Sequence, residues 1–250
     1  MTHDCICTYT HNGIASVRME VGGRYEIEYS VVSLKRYCSS WLGRIFVVGS
    51  EPPASIKDDV IHIPCSDIYK HFKDSNIIHK IRTVIETVPD LTDEFCHFSD
   101  DYIVTKETAW DDLTPRVKRR WSDWTEEKWK RNALTDFWHR NLVSTLRLFG
   151  KDAAFFEPHI FSPMDKHKFL EMCGKFDYTR NCYVFKSLYY NYVGAEQVPV
   201  YDICHLSRGK AKEMVQSLDP DHLPRFLTWT DPAFVEKKFR DILEKTVFGC

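Results

Sequence analysis

The sequence has no CxxC pair, no apolar run near the roughly 20 residues that cross a bilayer, and no excess of positive charge. Without paired cysteines at ligand spacing, a structural zinc site of the usual kind is not expected. The nine cysteines are odd in number and mostly sit in apolar runs, as Cys5, Cys7, Cys65, Cys96 and Cys204 do, which predicts reduced core thiols and no disulfide framework. A formal net charge of −2 rules out a whole-protein basic field for nucleic acid and leaves only a local patch open. The opening Met1-Thr2-His3-Asp4 lacks a basic stretch followed by an apolar one, so no signal peptide is expected. With no apolar run of membrane-spanning length either, the expected location is cytoplasmic. There is no internal repeat and no low-complexity segment.

What is present is a chain of 250 residues, 43% hydrophobic and 28% charged, enough for one sizeable core and too apolar for global disorder. A single domain over 1–250 is expected. Residues 5–10 form a short apolar run broken by His11-Asn12-Gly13. Residues 25–37 set Ile27, Val31, Leu34 and Cys38 three or four apart, a helical period. Residues 44–49 and 60–64 are dense β-branched runs, the first closed by Gly49 and Pro52-Pro53. Residues 76–88 place Ile77, Ile81, Val84 and Ile85 on one helical face, and 94–98 read as a strand. Strand and helix therefore alternate over the first hundred residues, the signature of a Rossmann-like, mostly parallel sheet flanked by helices. Such sheets bind ligands at the carboxyl ends of their strands, where the loops at 11–13, 49–53 and 99–101 are expected.

After Tyr102 the character changes. Residues 105–131 hold Trp110, Trp121, Trp124 and Trp129 among many charges, which predicts a helical, tryptophan-rich insertion or lid. Its rings suit either stacking on an acceptor or packing into the core. A helix is expected over 132–149 with Gly150 as its stop, then a strand at 153–156, a helix at 166–173, a strand at 198–204, and a loop with a final amphipathic helix over 219–248. Residues 181–190 mix both signals.

The strongest chemical signal is Phe95-Cys96-His97-Phe98-Ser99-Asp100-Asp101-Tyr102, in which two carboxylates directly follow a buried strand. A nucleoside diphosphate and its divalent cation need hard oxygen ligands at such a place. The competing reading is an Asp pair that only caps a turn or helix.

Several segments, in order, resemble the Stealth family of sugar-1-phosphate transferases. Glu28-Tyr29-Ser30-Val31-Val32-Ser33-Leu34 is similar to that family's "ELRYSLRSL", and Trp41-Leu42-Gly43-Arg44-Ile45-Phe46-Val47-Val48 to its "WVRKIYIVT". The stretch from Leu91 through Asp101 resembles "LSExFIYLNDD". Asp4 to Gly13 resembles "DVVYTWVNG", Asp67 and the Asn76 region fall in matching order, and Glu157-Pro158-His159 with Pro163, Asp165 and Lys166 looks like "HxP…K". The chain departs from the pattern at Thr10 and Lys80, and the family's C-terminal acidic motif has no counterpart. The resemblance implies a GT-A-like fold and a nucleotide-sugar substrate. The preferred expectation is a metal-dependent glycosyltransferase using a UDP- or GDP-sugar, with phosphosugar transfer or a non-catalytic binding module as alternatives.

In that reading the catalytic residues are Asp100, Asp101 and His159, with Asp101 as ligand of Mn²⁺ or Mg²⁺. Donor contacts are expected from Thr8, Asn12, Arg24, Asn76, Lys80, His205 and Arg208. Arg24 either grips a diphosphate or is a surface arginine. Asn76 either touches donor or caps its helix. Lys80 lies one turn on and is either a phosphate clamp or a solvated lysine. His159 is either an acceptor-side imidazole or a structural loop residue. The acceptor itself stays open among a glycan, a lipid-linked sugar, a protein and a modified nucleic acid.

Overall fold

A computed structural model of the chain describes residues 1–10, 20, 21, 23–69 and 72–249, and only the backbone of Glu20, Val21 and Arg208. The expected loop at 11–13 lies outside the described residues.

The chain starts in strand β1 (His3–Tyr9), followed by the short pair β2 (Glu20–Val21) and β3 (Arg24–Tyr25) and by helix α1 (Glu26–Tyr37). Strands β4 (Leu42–Gly49) and β5 (Ile61–Pro64), helix α2 (Lys73–Thr87) and strand β6 (Glu94–Phe98) complete the alternating half. The main sheet has the order β5, β4, β1, β6, and these four strands are parallel. A fifth strand, β10 (Ser162–Asp165), pairs antiparallel with β6 and forms the other edge.

Both faces of this sheet are covered, which is why its strands read as near-continuous apolar runs. Alternate side chains go to opposite faces. Cys5, Cys7, Tyr9, Ile45 and Val47 pack with Ile27, Val31 and Leu34 of α1. Ile6, Phe46, Val48 and Phe95 pack with Ile78, Ile81 and Val84 of α2. The described cysteines are all free thiols.

At the carboxyl edge β4 ends at Gly49, where φ is +127° and a Cβ would lie 1.8 Å from the carbonyl oxygen of Tyr9. Only glycine lets the end of β4 lie this close to the end of β1. The Ser50 amide then donates to that Tyr9 carbonyl at 3.0 Å.

Beyond β6 the chain forms β7 (Tyr102–Val104), β8 (Arg116–Arg120), α3 (Glu126–Ala133), α4 (Phe137–Arg147) and β9 (Ala154–Phe156). After β10 come α5 (Lys166–Lys175), α6 (Phe185–Tyr192), β11 (Val198–Pro199), β12 (Ile203–Leu206), α7 (Ala211–Ser217), β13 (Phe226–Trp229), α8 (Asp231–Phe234) and α9 (Lys237–Leu243). Two three-stranded sheets sit beside the main one, in the orders β12-β13-β7 and β11-β8-β9.

Several expectations change here. The tryptophan-rich segment is not wholly helical, because Arg116–Arg120 is a strand bonded to β9 and β11. The helix expected over 132–149 is two helices, broken where Asp136 caps α4 by accepting from the His139 amide at 2.8 Å. The strand expected at 198–204 divides into β11 and β12. A further strand, β13, lies in the region read as loop and helix. Residues 181–190 resolve mostly into α6.

Candidate active site

The turn between β6 and β7 carries Asp100 and Asp101, and two elements fix it from outside. From α1, the Ser30 hydroxyl lies 2.9 Å from the Asp100 carbonyl and 2.8 Å from that of Tyr102. From β13, the Trp229 amide donates to the Asp101 carbonyl at 3.1 Å. Backbone carbonyls held on both sides leave the two carboxylates aimed by the turn itself.

Around them lies a group of acids that the sequence reading did not assemble. Glu26, the first residue of α1, is buried and accepts from the Trp229 indole at 2.6 Å. Burial pushes its pKa up to about 9, and the charges of Asp100, Asp101 and Asp231 push the same way. Asp101 is likewise raised, first by burial and then by Asp100. Its Oδ1 is sealed from solvent with no hydrogen-bond donor. An unsatisfied carboxylate oxygen among like charges is a place that lacks positive charge.

Among the described residues no three His, Cys, Asp or Glu side chains form a ready metal cage. The donor set nevertheless fits Mg²⁺ or Mn²⁺. These ions commonly take one or two carboxylates and complete their shell with water and substrate phosphates.

The loop after β9 supplies the opposing wall. His159 Nδ1 lies 2.8 Å from Glu157 Oε1, which also accepts from the His159 amide at 3.1 Å. The other oxygen of Glu157 pairs with Lys118 Nζ at 2.7 Å. Burial raises the Glu157 carboxyl, but the His159 hydrogen bond and the His159 and Lys118 charges outweigh it and hold the group well below the usual range. The His159 ring stacks on His205 with centroids 4.3 Å apart. Burial, then the neighbouring His159, push the His205 pKa down to about 4, and its Nδ1 is buried without a partner. His205 lies within β12 and not after the last strand, since β13 follows it. His159 is close enough to Asp101 for its charge to oppose the rise in that carboxyl's pKa.

Behind these two walls sits Lys186 of α6, almost fully buried. Its Nζ donates to the Ile160 carbonyl at 2.5 Å and reaches the Tyr102 hydroxyl at 3.2 Å. It therefore touches both the residue after Asp101 and the loop that carries His159. Burial lowers its pKa to about 7, against the pull of Cys96, Glu157, Asp101 and Asp74.

The expected donor residues are spread along the carboxyl edge. Lys80 is 3% exposed, so the solvated reading is overturned. Its Nζ pairs with Asp67 at 2.6 Å and bonds the Thr10 hydroxyl. Asn76 is not a cap, because α2 begins at Lys73. Its Oδ1 accepts from the Ile68 and Tyr69 amides at 3.0 Å each, and its amide nitrogen donates to the Tyr69 carbonyl at 2.9 Å. It thus holds the loop that carries Asp67. The Thr8 hydroxyl is committed to His97 Nε2 at 3.1 Å. Arg24 pairs with Glu244 at 3.1 Å and lies 4.0 Å over the Phe248 ring. It also lines an open cavity of about 610 Å³ with Tyr25, Glu28, Pro53 and Ser55. Asn12 and the Arg208 side chain lie outside the described residues.

The tryptophans of the insertion are mostly engaged. Trp110 stacks on His3 at 3.7 Å. Trp129 is buried, with Trp121 parallel to it at 5.0 Å and Trp124 at 4.6 Å.

No protein-family profile and no curated protein sequence matches the chain. Among solved structures, the WbbM bifunctional glycosyltransferase superposes with a TM-score of 0.52 at 12% identity, over 98% of this chain and 50% of that one. The fold is GT-A-like. The chain spans about half the length of the WbbM structure. The galactosyltransferase LgtC, solved with donor and acceptor sugar analogues, gives 0.49 at 10% identity over 97% of this chain and 96% of its own. GlyE of Streptococcus pneumoniae TIGR4 gives 0.43 at 13% over 98% and 63%. Among the described residues no helix is long and apolar enough to cross a membrane.

Proposed function

We propose that the chain is a metal-dependent glycosyltransferase that moves a sugar from a UDP- or GDP-sugar to an acceptor hydroxyl. The observation that carries this reading is the cation-deficient acid group at the carboxyl edge. Asp101 has a sealed, unpartnered oxygen, and the pKa values of both Asp101 and Glu26 are raised beside it. The fold likeness to WbbM, a bifunctional glycosyltransferase, supports it at the level of architecture.

Asp101 and Asp100 would hold Mn²⁺ or Mg²⁺. The cation would supply charge neutralisation for the departing diphosphate. The protein's own residues do the rest. Lys80 is fixed by Asp67 and Thr10 beside the ends of β1 and β4 and brings a positive charge to the donor side. Glu157, held ionised by its partners, fixes the His159 ring through Nδ1, so that the ring in its neutral form would present Nε2 as a proton acceptor. His159 then orients an acceptor hydroxyl and takes up its proton.

A second reading is Stealth-type phosphosugar transfer. Its support is that Ser30 and Ser33, both in the segment resembling that family, are the side chains that dock α1 on Asp100, Tyr102 and Val104.

The deciding experiment is calorimetry with UDP- and GDP-sugars in Mn²⁺ and in EDTA, followed by product analysis. Undiminished donor affinity in EDTA would remove the metal. Nucleoside diphosphate release marks glycosyl transfer, and nucleoside monophosphate marks phosphosugar transfer. Binding with no turnover on any acceptor points to a binding module.

A further inference from the structure

The α3–α4 corner gathers three exposed large apolar side chains. Leu134, in the turn with Thr135 and Asp136, is 82% exposed, and Phe137 and Trp138, which open α4, are 47% and 36% exposed. Soluble surfaces carry single exposed leucines routinely, but three large apolar side chains on one projecting turn are a patch that asks for a partner. The turn is braced from below. Phe137 stacks parallel on Phe72 at 6.3 Å, and Trp138 meets Phe155 edge-on at 5.4 Å. The rings are therefore held at the surface and are not free to fold inward.

Two arginines flank the patch. From the start of α3 to the first turn of α4, Lys128, Lys130, Arg131 and Arg140 stand against Glu126, Glu127 and Asp136, but Lys130 is paired with Glu126 at 3.1 Å and Lys128 lies 4.5 Å over the Trp124 ring. Asp136 is itself occupied, accepting from the His139 amide and ring, each at 2.8 Å. Arg131 and Arg140 are both exposed.

We propose that this corner docks on the surface of an anionic phospholipid bilayer, with Leu134, Phe137 and Trp138 entering the headgroup and acyl boundary and Arg131 and Arg140 meeting lipid phosphates. Apolar and aromatic side chains ringed by Lys and Arg are the pattern that binds such a surface. The alternatives fit less well. A second copy of the chain would bring Arg131 and Arg140 against their own counterparts, and a turn this small falls far short of the roughly 800 Å² per partner of a stable interface. A nucleic-acid strand would use the cations and rings but gives no role to an exposed leucine, which cannot stack on a base. The inference is independent of the transferase reading, because docking needs none of the residues at the acid group.

The test is co-sedimentation of the full chain with phosphatidylcholine vesicles and with vesicles that also contain phosphatidylglycerol. Wild type is expected to bind the mixed vesicles, to ignore the pure ones, and to be released by added salt. Leu134→Ser touches no core and is expected to weaken binding several-fold with an unchanged melting temperature. Arg131→Glu with Arg140→Glu, at side chains without a carboxylate partner among the described contacts, is expected to weaken it roughly tenfold or more, since each cation near an anionic surface is worth about a factor of five. Failure to bind the mixed vesicles overturns the proposal, as does binding that both variants leave intact. Retention of the wild type by a single-stranded oligonucleotide, lost in the arginine variant and kept in Leu134→Ser, assigns the corner to nucleic acid instead. A dimer in solution that Leu134→Ser dissociates assigns it to self-association.

Discussion

Ser30 and Asp100 are seventy residues apart in the chain, yet the Ser30 hydroxyl rests 2.9 Å from the Asp100 carbonyl. The same hydroxyl lies 2.8 Å from the Tyr102 carbonyl, so one small side chain spans the turn that aims the acid pair. A larger residue would push the turn off α1, and an apolar one of equal size would remove the single O–H that the two carbonyls share.

Ser30→Ala is therefore expected to cost about 1–3 kcal/mol of stability, the range for stranding buried hydrogen-bonding groups. It is also expected to weaken Mn²⁺-dependent donor binding, because Asp100 and Asp101 lose their fixed backbone. Chemical denaturation and calorimetry on the same sample check both halves. A variant with wild-type stability would show that the contact carries no load.

Asp101→Asn is expected to separate binding from folding. The carboxylate is raised in pKa and has an oxygen without a donor, so a neutral amide of the same shape removes the burial cost of the charge and the repulsion with Asp100. The melting temperature in EDTA should hold or rise, while metal-dependent donor binding and turnover disappear. Normal turnover in this variant would leave Asp101 as a loop residue only.

Much of the fold was readable because parallel strands buried on both faces leave dense apolar runs, as in β4 and β6, and because α1 and α2 keep a clear 3.6-residue period. The acid pair was readable because it follows such a run. What escaped was assembled by distant chain. Glu26 looks like an ordinary acidic residue in the first turn of a helix, and Asp231 like the start of another. Only β13, four residues long and buried on all of them, brings Trp229 to Glu26 and carries Asp231 after it. Lys186 escaped for a similar reason, since its segment mixes aromatic and polar residues and nothing local marks its charge as buried. Asn76 and Lys80 were rightly put on one face, but their partners are the 67–69 loop and Thr10, which no helical period reveals.

The Glu26 carboxyl gives a pH test. Its folded pKa of about 9 lies above the ordinary value of 4.5, so between these limits the folded protein keeps a proton that the unfolded chain releases. That contribution to stability is fully present below pH 4.5 and is lost as pH rises through 9. Glu26→Gln keeps the acceptor for Trp229 and cannot ionise. Relative to this variant, wild type in EDTA is expected to lose stability with rising pH, by on the order of 1 kcal/mol per pH unit across the window. Denaturant melts of both proteins at several pH values read the difference. Parallel curves would mean that Glu26 is ionised in the fold already. Added Mn²⁺ should narrow the gap, because a cation beside Asp101 favours the charged form of Glu26.

The tryptophans of the insertion give the last test. Trp129 is 1% exposed. Its indole donates to the Trp121 carbonyl at 2.8 Å, and its ring is flanked by those of Trp121 and Trp124. It packs with Leu142, Val143 and Leu146 of α4 and with Phe155 of β9. Since β9 leads directly into Glu157 and His159, this cluster holds the loop that forms one wall of the candidate site. Trp129→Ala is expected to cost about 3–5 kcal/mol, as large-to-small changes in a packed core do. Trp124 is partly exposed and lies under the Arg119 guanidinium at 3.7 Å, so Trp124→Ala should cost less. If the rings served an acceptor instead, Trp129→Ala would leave melting unchanged and abolish transfer alone. Paired melting and donor-binding measurements decide between them. A collapse in stability that takes donor affinity with it makes the segment scaffold. Loss of donor affinity at full stability would place these rings over the nucleotide.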